Sequence, residues 1–301
     1  MKKCKFMMAI LGAMILFSPI LAEDLDESSG ESSAPVANSG VPKPGNGVAT
    51  FLGGTSVPEG GVAMVLNYNF FSTTNAQGRA YRNVFAPVLR IGIGNAWDIA
   101  VQVPMTFTIQ NGKRSTNTPG SGVNGRTLVL FHKQHLAKKF ENSSIMVATN
   151  YSLSIPTNSG MTGFWGFGFG VGLTWDYLSM RGVFDIQATA NTKGTDDKKG
   201  ASPLTLWIKA GYHYAFNNYV YAGLELNWDS SIYSSLYNGY NGSGSHNVYL
   251  GPILSFKIPE LNGSAWGVGF FWDVANQYQN ATQKVKWKEA WRLTSRITAS
   301  F

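Results

Sequence analysis

The sequence predicts an all-β transmembrane antiparallel up-and-down barrel of about 12 strands, and three observations predict it. From about residue 60 to the end, apolar and polar residues alternate with period two in long segments. Their connections alternate between short turns and longer polar loops, the pattern of outer-membrane barrels. Tryptophan and tyrosine collect near the ends of the apolar stripes, as amphipathic rings do at two membrane interfaces. Composition agrees. Only 14% of the 301 residues are charged, against about 25% in an ordinary soluble domain, while 13% are aromatic and 34 are glycine. That balance excludes a coiled coil, a disordered chain and a typical helical cytosolic enzyme.

Lys2, Lys3 and Lys5 precede an apolar run from Met7 to Phe17 and the segment Pro19–Ala22, so residues 1–22 are expected to be a cleaved secretory signal. Removing those three lysines lowers the formal charge from +7 to +4, too little to suggest a nucleic-acid partner. The single cysteine, Cys4, leaves with the signal, so no disulfide, thiol nucleophile or cysteine metal site is expected. Residues 23–59 begin with Glu23, Asp24, Asp26, Glu27 and Glu31 and continue rich in Ser, Ala, Pro and Gly. Such a segment buries too little apolar surface to offset its ordering entropy. It is expected to be a flexible acidic leader, either periplasmic or plugging the lumen, before a barrel at 60–301.

The expected strands are 60–72, 82–93, 96–109, 125–134, 143–155, 163–177, 182–192, 203–215, 219–228, 246–258, 265–278 and 288–301. The first sets Val62, Met64, Leu66, Tyr68 and Phe70 against Ala63, Asn67 and Asn69; the second sets Phe85, Leu89, Ile91 and Ile93 against Arg90 and Gly92. The third is the plainest: Trp97, Ile99, Val101, Val103, Met105, Phe107 and Ile109 share one parity, Asp98, Gln102, Thr106 and Gln110 the other. Successive strand side chains point to opposite faces, whereas a helix would scatter both sets. The fourth is blurred by Phe131, His132 and Lys133, and the fifth alternates Ile145, Val147, Tyr151 and Leu153 with Ala148, Asn150 and Ser152. The sixth alternates bulky residues with glycine. The last sets Trp291, Leu293, Ile297 and Phe301 against Arg292, Thr294, Arg296 and Ser300. Short connections are expected at 94–95, 137–142, 178–181, 217–218 and 260–263, and longer ones at 73–81, 110–124, 192–202, 229–245 and 279–286, with 156–162 between. An even strand number then leaves both termini in the periplasm. Of the nine tryptophans only Trp207 falls on the inward parity.

The C-terminal Phe301 is the kind of terminal aromatic that the barrel-insertion machinery reads. The segment Val57–Leu66 resembles the first strand of the phenol-degradation meta-pathway family of outer-membrane proteins, and Tyr151–Asn158 resembles that family's strand ending in a Leu-Pro-Thr-Gly-like sequence. The resemblance covers roughly 50–301, with Asn158 where the family's glycine is common. It implies an outer-membrane channel of a Gram-negative bacterium for small organic compounds.

Twelve strands give a barrel narrower than the open porins. The inward candidates for a solute path are Arg90, Asp98, Arg126, Asp185, Lys209, His213, Glu225, Asp273, Arg292 and Arg296, both signs being present. They serve either as a lumen-filling network or as solute contacts. Gly166, Gly168, Gly170 and Gly172 bare the lumen face of one strand, leaving room for solute, for bulky neighbours or for an inserted segment. Their spacing does not match a nucleotide-binding loop. His132 and His135, three apart on a strand, point to opposite faces, so a solvated basic rim with Lys133, Lys138 and Lys139 is expected there rather than a metal site. A hydrolase would need a histidine beside a nucleophile and an orienting group; His246 is followed by Asn247, Val248 and Tyr249, which does not fit an outer-membrane lipase. A non-enzymatic, passive channel is expected, with a structural or adhesive barrel and an outer-membrane hydrolase as alternatives. The expected partners are outer-membrane lipids and a small solute, and no cofactor is implied.

Overall fold

The computed structural model describes residues 53–301 except 76–77, 111–112, 115–125, 157–164, 193–203, 233–244, 259–263, 280–283, 286–287 and 301. The expected signal and most of the expected leader lie outside it. The wall consists of β1 (Val62–Asn75), β2 (Gly78–Gly94), β3 (Trp97–Gln102) continued by β4 (Met105–Gln110), β6 (Arg126–Lys139), β7 (Ser143–Pro156), β8 (Trp165–Tyr177), β9 (Met180–Thr192), β10 (Leu204–Ala215), β11 (Val220–Ile232), β12 (Ser245–Ile258), β13 (Ser264–Gln279) and β15 (Lys288–Ser300). Counting β3 and β4 as one, twelve antiparallel strands stand in sequence order. β1 pairs on one side with β2, from Val62 opposite Ile91 to Asn75 opposite Gly78, and on the other with β15, from Ala63 opposite Ser300. The sheet therefore closes and has no edge to satisfy.

Burial is inverted relative to a soluble protein. Phe167, Trp272 and Ile93 are 57%, 53% and 53% exposed on the outside, while Asp98, His213 and Glu225 are 0% exposed inside. Each exposed apolar side chain would be unfavourable in water, and a hydrocarbon surround removes that cost. Trp165, Trp175, Trp266 and Trp272 all lie on the outer face.

Proline interrupts the third expected strand. Pro104 has no N–H to give to the ladder, so 96–109 is divided at Val103 and Pro104, although Val103 N–H still donates to Pro87 O. The fourth runs further than expected, to Lys139, and carries a bulge between Gln134 and Leu136. The loops expected at 73–81, 110–124 and 279–286 are partly strand. β1 and β2 leave two residues between Asn75 and Gly78. The short β5 (Lys113–Arg114) folds back on β4, and β14 (Lys284–Val285) on β13. At the opposite, turn end of the barrel, Asn95 and Ala96 both have positive φ, 51° and 56°, the geometry of a two-residue turn whose twist matches the flanking strands.

Candidate functional site

Inward residues of β1 mark three levels of the lumen. Ala63 lies opposite Arg90, Asn67 opposite Arg296, and Phe71 between Arg82 and Arg292. Four residues separate each level, about 13 Å at a strand's rise.

At the level nearest the turn end, Arg90 Nε and Nη2 donate to Asp98 Oδ1 and Oδ2 at 3.1 and 2.6 Å. Parity placed both residues inward, and the structure brings them together. Residues 53–61 run around the inner wall at this level. Backbone N–H groups that belong to no strand must find other acceptors. Here Gly53 N–H donates to Asp185 Oδ2, Gly54 N–H to Thr174 Oγ1 and Val57 N–H to Asp98 Oδ2, each at 3.0 Å. Arg90 Nη2 and Gln134 Nε2 donate to the carbonyls of Thr55 and Gly54 at 3.1 and 2.8 Å. The segment thus crosses from β9 past β8, β6 and β3 before becoming β1. A second buried pair, Arg181 with Asp176 at 2.6 and 2.8 Å, stands close to the β8–β9 turn, and Ser144 donates to the same carboxylate. Residue parity could have found both partners.

The middle level holds Arg296, His213 and Glu225. His213 Nε2 is 3.3 Å from Glu225 Oε1, both fully buried. Arg296 lies within electrostatic reach of Glu225 and of Asp185. Asp185 stands on β9, five strands round a twelve-strand wall from β15 and almost diametrically opposite, so the lumen is narrow here. His132 is not on a solvated rim, as expected from its lysine neighbours. Its parity turns it into the lumen, 0% exposed, with Nδ1 2.5 Å from Asn150 Oδ1. His135, on the opposite parity, points outward onto Thr149 Oγ1 at 2.7 Å.

At Gly168, Gly170 and Gly172 the glycine stripe of β8 stands close against its neighbours. Gln187 of β9 donates across Gly168 to Ser152 of β7 at 2.5 Å. A Cβ on Gly168 would sit against Ser152 Oγ and 2.7 Å from Gln187 Nε2; one on Gly170 would lie 2.6 Å from Ile186 O. A Cβ on Gly172 would strike Gly53 O. The bare strand admits its neighbours and the inserted segment. Gly166 is buried with them.

Toward the loop end, Lys209 Nζ is 4.5 Å from the Trp207 ring centroid, and Arg292 is stacked among Phe71, Tyr249 and Phe271. Asp273 lies opposite Tyr249 across the β12–β13 pair. Arg82, which shares the inward parity of Arg90, belongs to this level and was not among the expected residues. Arg126 opens β6, and its side chain lies outside the described residues.

Fold and lumen define a closed β-barrel with a charged interior and an apolar exterior, the form in which strands cross a membrane. No protein-family model matches the chain, and no curated protein matches it. Among solved structures, the chain is similar in fold to the COG4313 outer membrane channel from Pseudomonas putida F1, with a TM-score of 0.58 at 12% identity over 82% of this chain and 98% of that one. OccK7 of Pseudomonas aeruginosa and the NanC porin each reach a TM-score of 0.41, at 6% and 11% identity, covering 80% and 78% of this chain and 98% of theirs.

Proposed function

We propose that the chain is a non-enzymatic outer-membrane channel for passive uptake of small organic solutes, with both termini in the periplasm. One observation carries the reading: charged side chains line the lumen at successive levels between its two ends, on a wall whose outer face is apolar. The resemblance of Val57–Leu66 and Tyr151–Asn158 to the phenol-degradation meta-pathway family, and the channel named among the similar folds, agree with it. A non-conducting barrel is the second reading, favoured by the segment 53–61 and the middle-level network within the lumen. Planar-bilayer recording of the refolded mature chain decides between them. Graded currents, with swelling of proteoliposomes in small organic solutes, support the channel; a correctly folded but silent barrel supports the second reading.

A further inference from the structure

The arginines of this lumen are stabilised in two ways. Arg90 and Arg181 are each held by a carboxylate at 2.6 Å, which cancels their charge. Arg82 and Arg292 are held by rings. The Arg82 guanidinium carbon lies 4.3 Å from the Phe71 centroid; that of Arg292 lies 4.5 Å from Phe271, 5.0 Å from Tyr249 and 5.9 Å from Phe71. A ring face attracts a cation without neutralising it. Among the described residues neither guanidinium has a carboxylate within 4.0 Å, and the Nε of each has no acceptor. Asp229 lies within electrostatic reach of Arg82, Arg292 and Lys209, and Asp273 of Tyr249. Glu225 lies within the same reach of Arg292 and Lys209. The same level gathers Phe71, Tyr249, Phe271 and Trp207, on lumen positions where the rest of the wall carries mostly small or polar residues.

We propose that Arg82 and Arg292, with the Phe71, Tyr249 and Phe271 rings that hold them, form a binding site for a solute carrying a carboxylate on a flat apolar body. The guanidinium fork matches a carboxylate's two oxygens, and lysine would not reproduce that geometry. The rings and the apolar part of the solute then bury each other. Lying only four residues from the Asn75–Gly78 end of the β1–β2 hairpin, the site is the first of the three charged levels reached from the loop end. This inference rests on the channel reading for its purpose, but binding itself does not require conduction.

Benzoate, acetate and benzyl alcohol serve as probes, by calorimetry on the detergent-solubilised mature barrel and by block of its KCl current in bilayers. Benzoate is expected to bind and to reduce the current, with acetate and benzyl alcohol both weaker. Arg82→Gln is expected to weaken benzoate binding about ten- to a hundredfold, the worth of a charge-assisted hydrogen bond, and to leave benzyl alcohol unchanged. Arg82→Lys is expected to restore anion preference in a KCl gradient but not the benzoate affinity. Because Arg82 is only partly buried, its variants are suited to folding; retained heat-modifiable gel mobility checks this. Equal binding of benzoate and benzyl alcohol, or an unchanged benzoate affinity in Arg82→Gln, overturns the proposal. Benzoate binding without any current upholds the site and overturns the channel reading; current without benzoate binding does the reverse.

Discussion

Arg90 and Arg292 are buried arginines of one lumen, but removing their partners should have different results. Asp98 accepts two bonds from Arg90 and one from Val57 N–H. Asp98→Ala strands a buried guanidinium, which costs about 3–5 kcal/mol. Urea unfolding in detergent should show that loss. The double variant Arg90→Ala with Asp98→Ala should lose less than Asp98→Ala alone, because no unpaired charge remains. An equal or larger loss would mean that Asp98 acts chiefly through the inserted segment. Phe271→Ala should instead lower stability mainly through lost ring contact, since Phe271 is 0% exposed and supplies no counter-charge to Arg292.

Strands decide which face a substitution meets. Val103 is 45% exposed on the outer face, whereas Gln102 points inward. Val103→Arg should cost about 2–4 kcal/mol in lipid, and Gln102→Arg much less; similar losses from unfolding titrations in vesicles would contradict the assignment of faces. The glycines of β8 divide by what stands over them. A Cβ at Gly168 meets the ends of the Ser152, Gln187 and Thr189 side chains, which can rotate, while at Gly170 it meets the backbone carbonyl of Ile186. Gly170→Ala should therefore reduce the folded, heat-modifiable fraction on gels more than Gly168→Ala.

At the scale of the whole barrel, residues 53–61 and the wall interlock. Gly53, Gly54 and Val57 are tied to β9, β8 and β3. Deleting residues 23–52 should leave these bonds in place and change conductance little. Extending the deletion through Glu59 removes them and should raise single-channel conductance. Equal conductance from the two deletions would show that the segment does not restrict the path. Gly172→Leu, which drives a side chain into Gly53 O, should mimic the longer deletion and expose 53–61 to protease in the folded barrel.

Period-two alternation determined the strands, their number and the face of nearly every side chain, because a one-residue slip would turn a whole strand inside out. It therefore also placed Arg90, Asp98, Asp185, Lys209, His213, Glu225, Arg292 and Arg296 in the lumen, and the same parity puts Arg82 and His132 there. Alternation says nothing of level. Only closure of β1 onto β15 set Phe71 between Arg82 and Arg292, residues 210 positions apart in the chain. Tertiary structure alone also gave the glycines their occupants. A missing side chain is visible in the sequence, but what fills the space comes from β7, β9 and the segment before β1, brought together by the circumference of the barrel.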